Sequence, residues 1–475
     1  MVNQERDGYD PSTVERKWQQ LWEERGTNSF TLEELQSAED PFYNLMMFPY
    51  PSAEGLHVGN IYAFTGADVH GRYQRLKGRT VFEPIGFDAF GIHSENFAIK
   101  MGTNPMDLIP SNVDNFTRQL KRIGGMFDWD HSVDTTDPDY YKWTQWVFIQ
   151  LFKAGLVEHK EAPVNWCPSC MTVLANEQAH TGECERCGTP VEQRHIAQWF
   201  FKITKYAQRL LDNLSHIDWS DKTRKAQSNW IGRSQGARLN FPVIDRDGHD
   251  TGTVIEVYTT RPDTVFGATY MVVAPEHPLL GKLIVSEKTD EVIAYVEAAA
   301  KKSDLDRTDL AKDKSGVFTG SHCINPVNGE KVPVWVADYV LITYGTGAIM
   351  AVPAHDERDH EFAEKFGIPI IQVIQPENPK ERNALPYVGE GKMMNSGQYD
   401  GMDSGEFLRA ITAALEAKGQ GKAAVNYKLR DWIFSRQRYW GEPIPMIHED
   451  NGQLLALNES DLPLTLPAVE KYEPT

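Results

Sequence analysis

Apolar residues in this 475-residue chain change period several times, and the changes divide it into elements. Between residues 40 and 160, short apolar runs alternate with amphipathic stretches. Tyr43–Met47 predicts a strand, after which Val58, Tyr62, Val69, Tyr73 and Leu76 recur at helical spacing and stop at Gly78. The segment TVFEPIGFDAFG at 80–91 repeats the unit, a strand running through a turn into a helix. Strands alternating with helices in this way predict a parallel α/β layer. Before them, Ser12–Glu15 reads as a capping box for a helix whose Val14, Trp18, Leu21 and Trp22 share one face.

The texture then changes twice. Residues 161–195 break the pattern with paired cysteines, and 196–230 return to a helical reading in which Phe200, Ile203, Tyr206 and Leu210 are periodic. From about 237, ARLNFPV and GTVIEVYTT flank the turn-rich IDRDGHD and predict a β-meander. Strands and glycines dominate to about 370, apart from a helix near 289–302, and after 425 the aromatic run YKLRDWIFSRQRYWGEPIPM is again strand-like. The expected organisation is an α/β domain formed by 1–160, 196–230 and 426–475. A small cysteine module at 161–195 and a β-rich insertion at 231–425 interrupt it.

Composition limits the function. Hydrophobic residues make up 41% and charged residues 24%, ordinary for a soluble globular chain. No run approaches signal-peptide or membrane-span length, so a cytoplasmic protein with no membrane partner is expected. A net charge of -19 argues against a nucleic-acid coat protein, yet leaves room for a local grip on a polyanion. Arg72, Arg75, Lys77 and Arg79 form one candidate cluster, and Arg430, Arg436 and Arg438 another; solvated helix and loop charge is the alternative for both. Five cysteines are too few for a secreted disulfide scaffold, and Cys323, which stands apart, reads as a small buried apolar residue.

Cys167, Cys170, Cys184 and Cys187 have the spacing C-x2-C-x13-C-x2-C. Two such knuckles supply four thiolates, each about 2.3 Å from one tetrahedral zinc ion. Four thiolates leave no open position, so the metal would hold structure rather than catalyse; free thiols or redox pairs are the alternatives. In FPYPSAEGLHVGN, residues 48–60, the chain leaves a strand, breaks sharply and opens a helix. A helix N-terminus offers unpaired amides and positive potential to phosphate. Gly59 permits close backbone approach, and His57 and Asn60 can donate to phosphate oxygens in a transition state. A polar helix start with a packing glycine is the plainer reading. Asp88 ends a strand at the place where α/β sheets bind ligands, and suits either a substrate ammonium or a helix cap.

Taken in order, MFPYPS, GLHVGN, PIGFDAFG, VNWCPSCMTVLANEQ, QWFFKIT, NWIGRSQG, YTTRPDTVFGATY, YGTGAIMAVPAHDERDHEFAEKFGIP and LRDWIFSRQRYWGEPIPM resemble bacterial leucyl-tRNA synthetases, which are class I aminoacyl-tRNA synthetases. The resemblance runs over essentially the whole chain. It implies an incomplete Rossmann-like catalytic domain interrupted by a zinc module and a β-rich editing domain. It also implies activation of leucine with ATP and Mg2+, and transfer to tRNA(Leu). HVGN then matches the family's His-x-Gly-His through His57 and Gly59, while Asn60 replaces the second histidine, keeping a donor but not a positive charge. Met47, Phe48 and Tyr50 match the leucine pocket, and Asp88 the carboxylate that holds the α-ammonium. GIHSEN departs from the family's Gly-Leu-Pro-Ala-Glu-Asn at Ile92, His93 and Ser94.

Leucine differs so little from isoleucine, norvaline and methionine that binding alone discriminates weakly. The insertion resembles the domain that removes wrong amino acids from charged tRNA. Thr259, Thr260 and Arg261 match its wall around the terminal adenosine, and Thr264 the residue whose bulk excludes leucine. Asp359 matches the carboxylate that anchors the amino group, with Asp356 and Arg358 beside it in HDERD. Without the family, HDERD reads as a salt-bridged loop. The second ATP signature of the family, Lys-Met-Ser-Lys-Ser, has no match; KDKSG at 312–316 falls inside the insertion. The expectation is the N-terminal half of a synthetase, incompetent alone for full aminoacylation, with a separate C-terminal half as a candidate partner. A stand-alone editing deacylase, one subunit of a split enzyme and a non-enzymatic tRNA-binding protein are the alternatives.

Overall fold

The computed structural model describes residues 9–174, 178–179, 182–300, 307, 314–342, 345–378, 385–469 and 472. The chain is α/β and divides into two compact units, Met1–Glu158 with Arg436–Thr475, and His159–Ser435. Among the described residues no helix is long and apolar enough to cross a membrane.

The first unit opens with α1 (Pro11–Glu24). Its cap is Asp10, not Ser12: the Asp10 carboxylate accepts from the Ser12 N–H at 3.1 Å. Pro11 at the first helical position decides this, because proline pushes the residue before it out of helical conformation. After α2 (Leu32–Gln36), strand β1 (Pro41–Tyr43) sits earlier than the apolar run suggests. It pairs in parallel with β2 (Thr80–Phe82). One further ladder bond, from Asn44 N–H to Phe82 O at 2.9 Å, follows before the partner strand reaches Pro84, which has no N–H.

Helix α3 (Val58–Leu76), connecting β1 to β2, lies where the periodicity places it but turns its other face inward. Phe64, Gly71 and Gln74 are buried, whereas Val58, Tyr62, Val69, Tyr73 and Leu76 are 56% to 87% exposed. Close approach explains the choice. A Cβ at Gly71 would fall 2.5 Å from Glu83 Oε2 and 2.6 Å from Asn44 Nδ2, so only the small-residue face fits against the strands.

Strand β3 (Pro84–Phe87) leads into α4 (Ile92–Met101), and α5 (Pro105–Arg122), β4 (Asp128–Asp134) and α6 (Pro138–Lys153) follow. β3 and β4 pair in parallel, as the strand–helix alternation predicts. Phe64, Ile85, Phe116, Phe127 and Tyr141 form the core, and Trp440 joins them from the end of the chain.

The second unit contains β5 (Val157–Cys167), β6 (Thr172–Leu174) and β7 (Glu192–Phe201), which form a four-stranded sheet with Trp432–Ile433. Residues 196–201, read as helical, are instead the end of β7. Gln198, Trp199 and Phe200 are buried in succession, as in a strand covered on both faces; a 3-10 turn follows at Ile203–Tyr206, and an α-helix begins at Ala207. The larger sheet has seven strands: β8 (Ser234–Ile244), β9 (Asp250–Thr259), β10 (Tyr270–Val273), β11 (Gly316–Ile324), β12 (Lys331–Ala337), β13 (Ala348–Ala351) and β14 (Gly421–Asn426). Their order is β13–β10–β12–β11–β8–β14, with β9 on β8. Only β10 and β12 run parallel. The expected meander is the β8–β9 hairpin, and the helix near 289–302 is Thr289–Ala299; its last two predicted positions lie outside the described residues. Helices α7 (Glu357–Phe366) and α8 (Ser404–Ala417) bury Phe362 and Phe407 against this sheet. Cys323 is fully buried in the same core.

Candidate active sites

In the first unit, the segment after β1 runs beside β3. Phe48 packs on Gly86, where a Cβ would come within 2.7 Å of the phenyl ring, and Asp88 N–H donates to Pro49 O at 3.1 Å. The Asp88 carboxyl therefore lies within reach of Tyr50. Burial raises its pKa, and hydrogen bonds from the Tyr50 and Thr135 hydroxyls oppose the rise. Burial and then the Asp88 charge raise the Tyr50 phenol in turn. Met47 and Tyr50 are 78% and 59% exposed. The result is an open apolar strip with a half-buried carboxylate on its floor, a setting that favours a small cation. Sequence reasoning passes over Thr135, whose Oγ1 also accepts from Ala89 N–H at 2.9 Å. Its signal is positional: it follows β4, the parallel neighbour of β3, at the strand end where such sheets bind ligands.

His57 is the N-cap of α3. Its Nδ1 accepts from Asn60 N–H at 3.3 Å, and Asn60 Oδ1 accepts from His57 N–H at 3.2 Å. With Nδ1 accepting, a neutral His57 carries its proton on Nε2, so this nitrogen and the Asn60 amide are donor groups at a helix N-terminus. Gly59 has a steric role there: a Cβ would stand 3.0 Å from the His57 ring. Ion pairs hold members of both basic clusters. Arg72 meets Asp68 at 2.7 Å, Arg79 meets Asp40 at 2.8 Å, and Arg438 meets Glu95 at 2.6 Å.

In the second unit, Thr259 ends β9, and Thr260 and Arg261 follow it. Arg261 pairs with Asp263 at 2.9 Å and donates to Val388 O at 2.9 Å. Thr264 is fully buried, its Oγ1 donating to Arg261 O at 2.8 Å. HDERD proves to be a helix start. Asp356 caps α7 by accepting from the Arg358 and Asp359 N–H groups, and pairs with Arg358 at 3.3 Å. Asp359 Oδ2 accepts from Val352 N–H at 2.8 Å, and Oδ1 from the Tyr339 hydroxyl at 3.3 Å. Burial first, then the Asp356 charge, pushes Asp359 up to about 7. A strap absent from the sequence reading ties the two motifs together. Tyr387 N–H donates to Ala354 O, His355 Nδ1 donates to Tyr387 O, both at 2.8 Å, and the next residue, Val388, accepts from Arg261.

The four paired cysteines converge. Sγ distances are 3.4 Å for Cys167–Cys187, 3.5 Å for Cys170–Cys187 and 4.0 Å for Cys170–Cys184, and all four sulfurs lie within 4.8 Å of one another. A tetrahedral ion with bonds of about 2.3 Å needs sulfurs about 3.8 Å apart, so the set fits one metal ion. Burial opposes ionisation of Cys187, but hydrogen bonds with Thr189 and with the thiols of Cys167 and Cys170 bring it down to about 6.

Residues 17–236 match the family described as tRNA synthetases class I (I, L, M and V), and 228–416 match that described as leucyl-tRNA synthetase, editing domain. The agnB2 LeuRS of Agrobacterium radiobacter K84, solved as a ternary complex with tRNA and LeuAMS, is 35% identical, with a TM-score of 0.82. The match covers 98% of this chain and 55% of that one, so the chain spans little more than half the length of this relative. A methionyl-tRNA synthetase of Mycobacterium tuberculosis, in complex with methionyl-adenylate, is 22% identical over 39% of this chain and 38% of its own. Its TM-score of 0.35 is too low to inform either site.

Proposed function

The chain belongs to the leucyl branch of the class I aminoacyl-tRNA synthetases, and from that premise we propose that it activates leucine with ATP, charges tRNA(Leu), and hydrolyses tRNA(Leu) carrying a wrong amino acid. One observation carries the reading. The chain holds a half-buried carboxylate beside an open apolar strip in one unit, and the strapped TTRPDT and HDERD motifs in the other. The first suits a free amino acid and the second an esterified one.

In the activation reading, Asp88 and Tyr50 hold the α-ammonium while Met47 and Phe48 flank the side chain. The leucine carboxylate attacks the α-phosphate of ATP and pyrophosphate leaves. His57 Nε2–H, the Asn60 amide and the backbone at Gly59 face the phosphates, whose charge Mg2+ would offset. The remaining cationic groups of the nucleotide site come from a C-terminal half, supplied as a separate chain or as further sequence. In the editing reading, Thr259, Thr260 and Arg261 wall the terminal adenosine and Thr264 restricts the depth of the pocket. Asp359 anchors the amino group with Asp356 and Arg358 alongside, and an arriving ammonium would draw the proton off Asp359. Cys167, Cys170, Cys184 and Cys187 would hold a structural Zn2+ that fixes the module at 161–195. The catalytic domain comprises 1–160, 196–230 and 426–475, the editing domain 231–425, and the compartment is the cytoplasm.

The completeness of the second motif pair favours one other reading, a stand-alone editing deacylase. Incubating the purified chain with norvalyl-tRNA(Leu) and leucyl-tRNA(Leu) tests the editing half. Hydrolysis of the first alone supports it, and hydrolysis of neither removes it.

A further inference from the structure

His355 is 5% exposed, and both of its ring nitrogens are spent on backbone. Nδ1 meets Tyr387 O at 2.8 Å, while Nε2 meets Val373 N–H at 2.9 Å and Ile374 N–H at 3.3 Å. A carbonyl can only accept and an amide N–H can only donate, so the proton sits on Nδ1 and Nε2 is bare. Burial lowers the imidazole pKa; the Tyr387 bond opposes this, the Arg261 charge adds to it and the Asp263 charge opposes it. A charged ring would point a second N–H at two backbone donors, so this histidine is held neutral in one tautomer.

The two segments that His355 joins hold opposite ends of one turn. Pro262–Gly267 carries Thr264 between β9 and β10 and belongs to neither strand. At its start, Arg261 donates to Val388 O at 2.9 Å, and Val388 follows Tyr387. At its end, Gly267 lies so close to the other segment that a Cβ would stand 2.9 Å from Ile371 O and 3.2 Å from Val373 Cγ2. His355 also precedes Asp356, the cap of α7, whose first turn carries Asp359. One imidazole therefore links the turn, at both ends, to the start of the helix that faces it in the site. A group held this way by neighbours of fixed position sets geometry rather than chemistry.

We propose that His355 is a positioning residue of the editing site with two separable arms. Nδ1–H, acting through Tyr387 and Val388, places Arg261 against the terminal adenosine. Nε2, acting through Val373, fixes the Gly267 end of the turn and with it the depth that Thr264 allows. The inference rests on the editing reading given under Proposed function. It adds that binding of the tRNA end and rejection of leucine are set by different nitrogens of one ring.

Steady-state hydrolysis of norvalyl-tRNA(Leu) and leucyl-tRNA(Leu) by the full 475-residue chain separates the arms. An asparagine amide reaches the place of Nδ1 and a glutamine amide that of Nε2, so each variant keeps one arm. His355→Asn should keep KM for norvalyl-tRNA(Leu) near wild type. It should lower the norvalyl-over-leucyl preference in kcat/KM about tenfold, the effect of one lost buried hydrogen bond. His355→Gln should keep the preference and raise KM by about tenfold. His355→Ala should do both. A histidine that only holds the fold would reduce the amount of active protein, which changes neither KM nor the preference. Unchanged KM and preference in His355→Ala therefore overturn the proposal and leave editing standing. If His355→Ala does not fold, the other two variants decide: identical behaviour, or exchanged effects, overturns the proposal. A wild type that hydrolyses neither ester removes the editing reading itself, and the proposal with it.

Discussion

His57 and Asn60 close the first turn of α3 on each other, each side chain accepting from the other's backbone N–H. The reciprocal cap shows what asparagine can do at this position: it holds the turn through Oδ1 and keeps its amide hydrogens for an anion. His57→Ala should cost about 1 kcal/mol in urea unfolding and severely impair leucine activation in an enzyme reconstituted with a C-terminal half. Asn60→His should cost about 0.5 kcal/mol and leave activation near the wild-type rate. Loss of activation in Asn60→His, matching that of His57→Ala, would show that asparagine itself is required.

The sulfur geometry predicts one zinc per chain. Metal analysis after chelator washing should give close to one equivalent, lost when Cys167 and Cys184 are both replaced by serine. A metal-free wild type that keeps its full near-ultraviolet circular dichroism would contradict the assignment.

For editing, Asp359→Asn is a cleaner probe than alanine, because its amide oxygen can still accept from Val352 N–H while its Nδ2 can donate to the Tyr339 hydroxyl oxygen in place of the bond lost there. It should abolish hydrolysis of norvalyl-tRNA(Leu) with little loss of stability. Thr264→Ala removes bulk from the pocket wall and should allow leucyl-tRNA(Leu) to be hydrolysed as well. Continued rejection of leucyl-tRNA(Leu) by Thr264→Ala would mean that another residue sets the depth of the pocket.

Much of this was legible in the sequence where spacing and chemistry coincide. The cysteine knuckles, α3 and the β8–β9 hairpin are local patterns, and each forms close to the predicted place. The misreadings come from packing at a distance. Val58, Tyr62 and Tyr73 give a correct period for α3 but the wrong inner face, because Gly71 must meet Glu83 and Asn44. Trp199 and Phe200 look helical until β7 pairs with β5 in one sheet. Thr135 and Tyr387 reach their places only through tertiary pairing, and no short motif announces them.

Glu83 supplies a test of the first unit's interior. It accepts from Asn44 Nδ2 at 2.7 Å, and burial, only partly opposed by that bond, pushes its carboxyl up to about 7. The folded chain therefore keeps a proton between pH 4.5 and about 7 that the unfolded chain has lost. That stabilisation is complete below the unfolded pKa and disappears as pH rises through 7. Relative to Glu83→Gln, wild type should lose about 2 kcal/mol across this window after allowance for solvent screening. A pH-independent difference between the two proteins would contradict the buried, protonated Glu83.

The central claim, that the first unit is the leucine-activating half of a synthetase, is tested most directly by leucine-dependent ATP–pyrophosphate exchange. The measurement compares the 475-residue chain alone with the chain plus the C-terminal part of a leucyl-tRNA synthetase. Charge builds on the pyrophosphate as it leaves, and His57, Asn60 and the amides of α3 supply donors on one side only. The account predicts little or no exchange by the chain alone, exchange on reconstitution, strong preference for leucine, and loss of activity in Asp88→Ala. Robust exchange by the chain alone, or a reconstituted enzyme that prefers another amino acid, would contradict it.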